Sequence, residues 1–199
     1  MFLVFLILFD PANGWRRVVD SCRSLPRLVF IHLLPLLMIG CVAEGYGIMR
    51  WGKRVGDFGA TRTYELPQVI GYQACHFVAG LMVVLLSAWV LKVVSNTFQH
   101  RQKFIQALAV SVFALGPVFL LRICDAFPMI NPWISWGIGA VLVVAFLYQG
   151  APRVMHLDPA HALGVYMSSA VLLVMISGLG RFVVVMFLQS KVLEGTLGL

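Results

Sequence analysis

The sequence predicts an all-α, polytopic integral membrane protein: five transmembrane helices preceded by a short amphipathic interfacial helix. Three observations carry this prediction. Five apolar stretches occupy most of the chain, each long enough, at about 18 residues or more, to cross a hydrocarbon core as a helix. Of the 199 residues, 60% are hydrophobic and only 12% charged, about half the charged share of a soluble domain. Nothing between the stretches is large enough to be a soluble domain, and backbone in lipid must satisfy its own hydrogen bonds, which favours helix. The mean hydropathy of +0.91 agrees. One bundle fits the length, with residues 1–27 as an N-terminal apolar and amphipathic segment and residues 28–199 as the five-helix domain.

Residues 1–9 (MFLVFLILF) are apolar but too short to span, and neither a preceding basic residue nor a following small-residue cleavage site marks a signal peptide. Asp10-Pro11 reads as a helix cap and first helical position. Trp15, Val18, Val19 and Cys22 then recur at i, i+3, i+4 and i+7, with Arg16, Arg17, Asp20 and Arg23 off that stripe. This helix suits the membrane interface, with Trp15, Arg16, Arg17 and Arg23 contacting lipid. An ordinary lead-in helix packed on the bundle has the same pattern. The spans are read as Leu28 to Met49, Val69 to Leu91, Phe104 to Ile123, Pro132 to Gln149 and Ala162 to Leu188. Trp51, Tyr72, Trp89, Trp133, Trp136, Tyr148 and Tyr166 fall near span ends, where aromatic belts form. Pro35 and Pro117 lie inside spans and should kink them. Gly178, Gly180 and the Gly164/Ser168 pair read as close helix contacts. The longest connection, Arg50 to Gln68, is polar and glycine-rich.

The net charge of +7 comes from basic residues that flank apolar spans and form no single stripe. It therefore points to headgroups and topology, not to nucleic acid. With the N-terminus inside, eight basic residues fall in inside segments and six in outside ones, a small bias toward a cytoplasmic N-terminus. Cys22, Cys41, Cys75 and Cys124 form no C-x-x-C pair and suit neither a disulfide framework nor a structural zinc site.

Charged residues inside spans are costly and invite a functional reading. Glu44 lies about 16 residues into the first span, Arg122 about 18 into the third with Asp125 just beyond, and Arg181 about 19 into the fifth. Odd spans run in one direction, so at about 1.5 Å per residue all four reach one membrane face. His76 enters the second span from that same face. Glu44, His76, Arg122, Asp125 and Arg181 thus form a candidate polar intramembrane cluster, with Glu44 paired to Arg181 or Arg122. A pocket, snorkelling to headgroups, or a structural ion pair each fits this pattern. Their spacing demands no metal. His156, Asp158 and His161 are best explained by Asp158 capping the next helix with Pro159 at its first position. No phosphate loop, nucleophile elbow or catalytic carboxylate pair appears, and no cofactor is called for.

Several segments resemble the Yip-domain proteins, a family named for members that interact with Rab-type GTPases. The resemblance rests on Asp10-Pro11 followed by Trp15-Arg16-Arg17, on Phe104 to Pro117 (FIQALAVSVFALGP), and on Tyr148-Gln149-Gly150-Ala151-Pro152 followed by Met155, Asp158-Pro159 and Ala162. It implies a five-span topology. Eukaryotic family members carry a long soluble N-terminal region to which partner binding is attributed, whereas about 27 residues precede the first span here. The resemblance therefore points to the bacterial branch, found in the inner membrane. The expected function is non-enzymatic: scaffolding partners or organising lipid, with membrane lipids as partners and a homo-oligomer or membrane-complex subunit open. The alternative is a transporter or channel component that uses the polar cluster.

Overall fold

A computed structural model of the chain describes residues 2–21, 24–55, 60–98, 103–155 and 159–189. Five helices in it are long and apolar enough to cross a membrane: Leu25–Trp51, Leu66–Thr97, Phe104–Ala126, Pro132–Met155 and Ala162–Phe187. The protein is an all-α, multi-pass membrane protein. Two short helices, α1 (Phe2–Phe9) and α2 (Pro11–Ser21), precede the spans. The first span is α3 (Leu25–Trp51) and the second α4 (Leu66–Thr97). The third is broken into α5 (Phe104–Ala114), α6 (Gly116–Leu121) and a tight 3₁₀ segment, Arg122–Ala126. The fourth is α7 (Pro132–Met155), and the fifth lies within α8 (Pro159–Gln189).

The two span prolines have different local consequences. Pro35 cannot bond back to the preceding turn. The chain meets it with a wider π-helical turn over Leu28–Leu33, closed by the Leu34 N–H donating to the Val29 carbonyl. Pro117 starts α6 after the chain breaks at Leu115, so the third span changes direction there and ends in the 3₁₀ turn that carries Arg122 and Asp125. The third span is the centre of the bundle. Its most apolar window is 72% buried, against 28–44% for the other four. Its side chains from Ala107 to Leu115 are all buried, and α4 packs along both α5 and α8.

The structure departs from the sequence-based expectation in three places. The first is the N-terminal segment. Trp15 and Val18 are fully buried and join the main core with Val4 and Ile7 of α1. The Trp15 indole lies edge-on to Phe113, ring centroids 6.3 Å apart, and rests on Gly150 of α7, where any Cβ would overlap the ring. Trp15 is therefore not an interfacial lipid contact. Its amphipathic stripe is real, but the surface it covers is protein. Arg16, Arg17 and Val19 stay exposed. Asp10 accepts from the Asn13 backbone N–H at 3.2 Å and side-chain amide at 2.6 Å, and that amide chiefly holds its carboxyl below the usual range. Arg23 lies outside the described residues, as do His156 and Asp158 with the cap expected there.

The second departure is the long connection. The first span runs on to Trp51, and Gly52 turns the chain with φ 72°, a left-handed conformation suited to glycine. An antiparallel hairpin comes next, β1 (Lys53–Val55) with β2 (Ala60–Arg62), pairing Lys53 with Arg62. Glu65 and Gln68 then cap α4, the Glu65 N–H donating to Gln68 Oε1 at 3.1 Å. The third departure is span length: the second and fourth spans extend well beyond the expected limits, to Thr97 and Met155. The glycines of α8 do meet neighbours closely: Gly164 faces Phe98, Gly178 faces Trp136 and Gly180 faces Val83.

Candidate functional site: a buried charge cluster

Glu44 is the centre of the cluster and is wholly buried. A lone carboxylate there would cost several kcal/mol in lipid, and its surroundings supply four donors. Arg122, brought in by the 3₁₀ turn, donates to Glu44 Oε2 through Nε at 3.1 Å and Nη2 at 2.7 Å. Lys53 bonds the other oxygen, Oε1, from the hairpin. Tyr72 of α4 donates its hydroxyl to the same oxygen at 3.1 Å, and Lys53 also donates to that hydroxyl at 3.2 Å. His76, one turn beyond Tyr72, places Nδ1 3.3 Å from Glu44 Oε2 without a hydrogen bond's alignment. Arg122 is held in turn by Gln73 Oε1 at 2.8 Å and by Cys41 Sγ at 3.3 Å. Glu44 therefore ties together the first span, the second span, the third span and the hairpin.

Asp125 and Arg181 form a second ion pair, Nη2 to Oδ2 at 2.6 Å, joining the third span to the fifth. Of the two partners expected for Glu44, the structure selects Arg122, and Arg181 is taken by Asp125. All five residues of the expected cluster lie in this part of the bundle, with Glu44, Arg122, Asp125 and Arg181 buried and His76 partly so.

Lys53, Tyr72, Gln73 and Cys41 are not legible from the sequence as cluster members. Lys53 sits in a polar connection and reads as an ordinary outer charge. Tyr72 reads as a belt aromatic, yet it is among the largest fully buried side chains. Burial pulls the Lys53 ammonium down, but the Glu44 carboxylate beside it prevails and holds it above the ordinary lysine range.

Beside the cluster, between α3 and α4, runs an apolar groove of about 380 Å³. Met38, Val42, Tyr46, Met49, Leu66 and Ile70 line it and are exposed at its rim. Cys41 and Gln73 belong to both the groove and the cluster. A second groove, about 400 Å³ and lined by Tyr148, Arg153 and Tyr166 among others, lies between α7 and α8 near the other end of α7, away from the charges.

Neither curated proteins nor solved structures yield a match to the chain. The Yip1 domain matches it over residues 5–181, which takes in α2, all of the first four spans and the whole charge cluster. The chain belongs to the Yip1 domain family of membrane proteins.

Proposed function

We propose that this protein is a non-enzymatic membrane component that organises lipid, seating an acyl chain in the groove between α3 and α4. One observation carries the reading: the Glu44 carboxylate is enclosed by Arg122, Lys53 and Tyr72, and the groove beside it is apolar and flanked by residues of two spans. A groove of this size is in the range that seats a ligand. The surface around it is hydrocarbon-facing in a membrane, so an acyl chain is the occupant its chemistry suits. The cluster then serves as a lock that fixes the rotation and depth of three spans, keeping the groove's walls in register. In this reading the N-terminus lies on the inner side of the membrane. Arg16 and Arg17 before the first span and Arg27 at its start support that orientation.

Native mass spectrometry of the full chain in mild detergent tests the reading. Bound phospholipid is expected in the wild type. It should be lost in Ala74→Trp, which fills the groove from an exposed position of α4, while the melting temperature is kept. Equal lipid occupancy in both proteins contradicts the proposal, as does solute efflux from vesicles reconstituted with the wild type.

A further inference from the structure

A small cavity of about 30 Å³ lies between α4, α6, α7 and α8, and none of the groove residues lines it. Its polar lining comes from Arg122, Arg181, His76, Ser177 and Trp136. Ser177 spends its hydroxyl proton on the Val174 carbonyl at 2.9 Å and accepts from Trp136 Nε1 at 3.2 Å. Arg181 is buried, yet its Nε–H has no acceptor among the described residues. A buried donor without a partner costs about 1–3 kcal/mol, more when charged.

The charge balance points the same way. In the three ion pairs at and beside the cavity, three cations, Lys53, Arg122 and Arg181, face two carboxylates, Glu44 and Asp125. One positive charge is left over even with His76 uncharged. Asp125 Oδ1 also lacks a donor, but Asp125 does not line the cavity. An uncompensated charge at membrane depth is expensive, and a counter-charge in the cavity removes that cost. The volume holds one or two groups of water's size, which suits a monatomic anion and excludes phosphate or a carboxylate-bearing metabolite.

We propose that this cavity binds a monatomic anion of the halide class, held by the guanidinium groups of Arg122 and Arg181. The proposal stands apart from the lipid groove: either can hold without the other.

Trp136 is a built-in reporter, since it lines the cavity and bromide quenches indole emission on contact. The full chain in detergent is titrated with bromide, with gluconate keeping ionic strength constant. A saturable quenching component is expected, competed by chloride. Trp136→Phe should remove that component, and Trp133→Phe, at an exposed neighbouring position, should keep it. Arg181→Gln should abolish it. Because that change orphans Asp125, Ala79→Leu provides a second variant, filling the cavity without altering any charge. Quenching that rises linearly with bromide in the wild type overturns the proposal, leaving water as the occupant. A saturable component that persists in Ala79→Leu also overturns it.

Discussion

Lys53 reaches back from the hairpin to the carboxylate of Glu44, nine residues earlier in the chain and wholly buried. The contact converts a polar connection into part of the membrane domain. It also gives Glu44 two full cationic partners, so that neither oxygen of the carboxylate is left bare.

The first prediction concerns Glu44 and Arg122. Glu44→Gln leaves Arg122 and Lys53 buried without their anion, and Arg122→Gln leaves Glu44 with Lys53 alone. Breaking a buried pair from one side costs roughly 3–5 kcal/mol. The double change should cost clearly less than the sum of the two single changes, because the pair is removed together. Unfolding midpoints of the four proteins in one detergent check this. An additive cycle contradicts the pairing.

A second prediction uses pH. The folded-state pKa of Lys53 lies above its unfolded value. Its contribution to stability is therefore fully present below the unfolded pKa, about 10.4, and is lost only as pH rises through the folded value. Stability traced to this group should be flat from neutral pH to about pH 10 and fall above it. Lys53→Met should be less stable at neutral pH and lack that alkaline fall. A thermal-shift series in buffers from pH 7 to pH 12 reads both.

The spans and the depth of Glu44, Arg122, Asp125 and Arg181 can be read from the sequence because lipid penalises charge and rewards long apolar runs. The pairing cannot, because four charges at similar depth can pair in several ways until helix rotation is known. Lys53 is hidden for a different reason. A lysine in a glycine-containing connection carries no local mark of folding back, and Gly52 alone hints at the sharp turn. Trp15 shows the limit of amphipathicity: the stripe identifies the buried face, but lipid and a neighbouring helix reward the same stripe. Tyr72 shows that an aromatic near a span end is equally suited to a belt or to a buried hydroxyl network.

A third prediction comes from the seat of Trp15 on Gly150. Trp15→Ala removes a fully buried indole and should cost about 3–5 kcal/mol. Gly150→Val should be comparably damaging although it adds only a small side chain, because the indole occupies the space a Cβ needs. Arg16→Ala, at an exposed position of the same helix, should fall within about 0.5 kcal/mol of wild type. Were Trp15 instead a lipid contact, Gly150→Val would be nearly silent in the same unfolding assay.

The most direct measurement of the closed cluster uses its own thiol. Cys41 is buried with its sulfur 3.3 Å from Arg122 Nη1. In a variant with Cys22, Cys75 and Cys124 replaced by alanine, a charged, membrane-impermeant thiol reagent is applied to both sides of the intact membrane. Cys41 should stay unlabelled until the protein is denatured, because the packed ion pairs leave no path wide enough for the reagent and hydrocarbon excludes it. Rapid labelling of Cys41 in the native membrane would mean that an aqueous path reaches the cluster, and would contradict the reading of it as a lock.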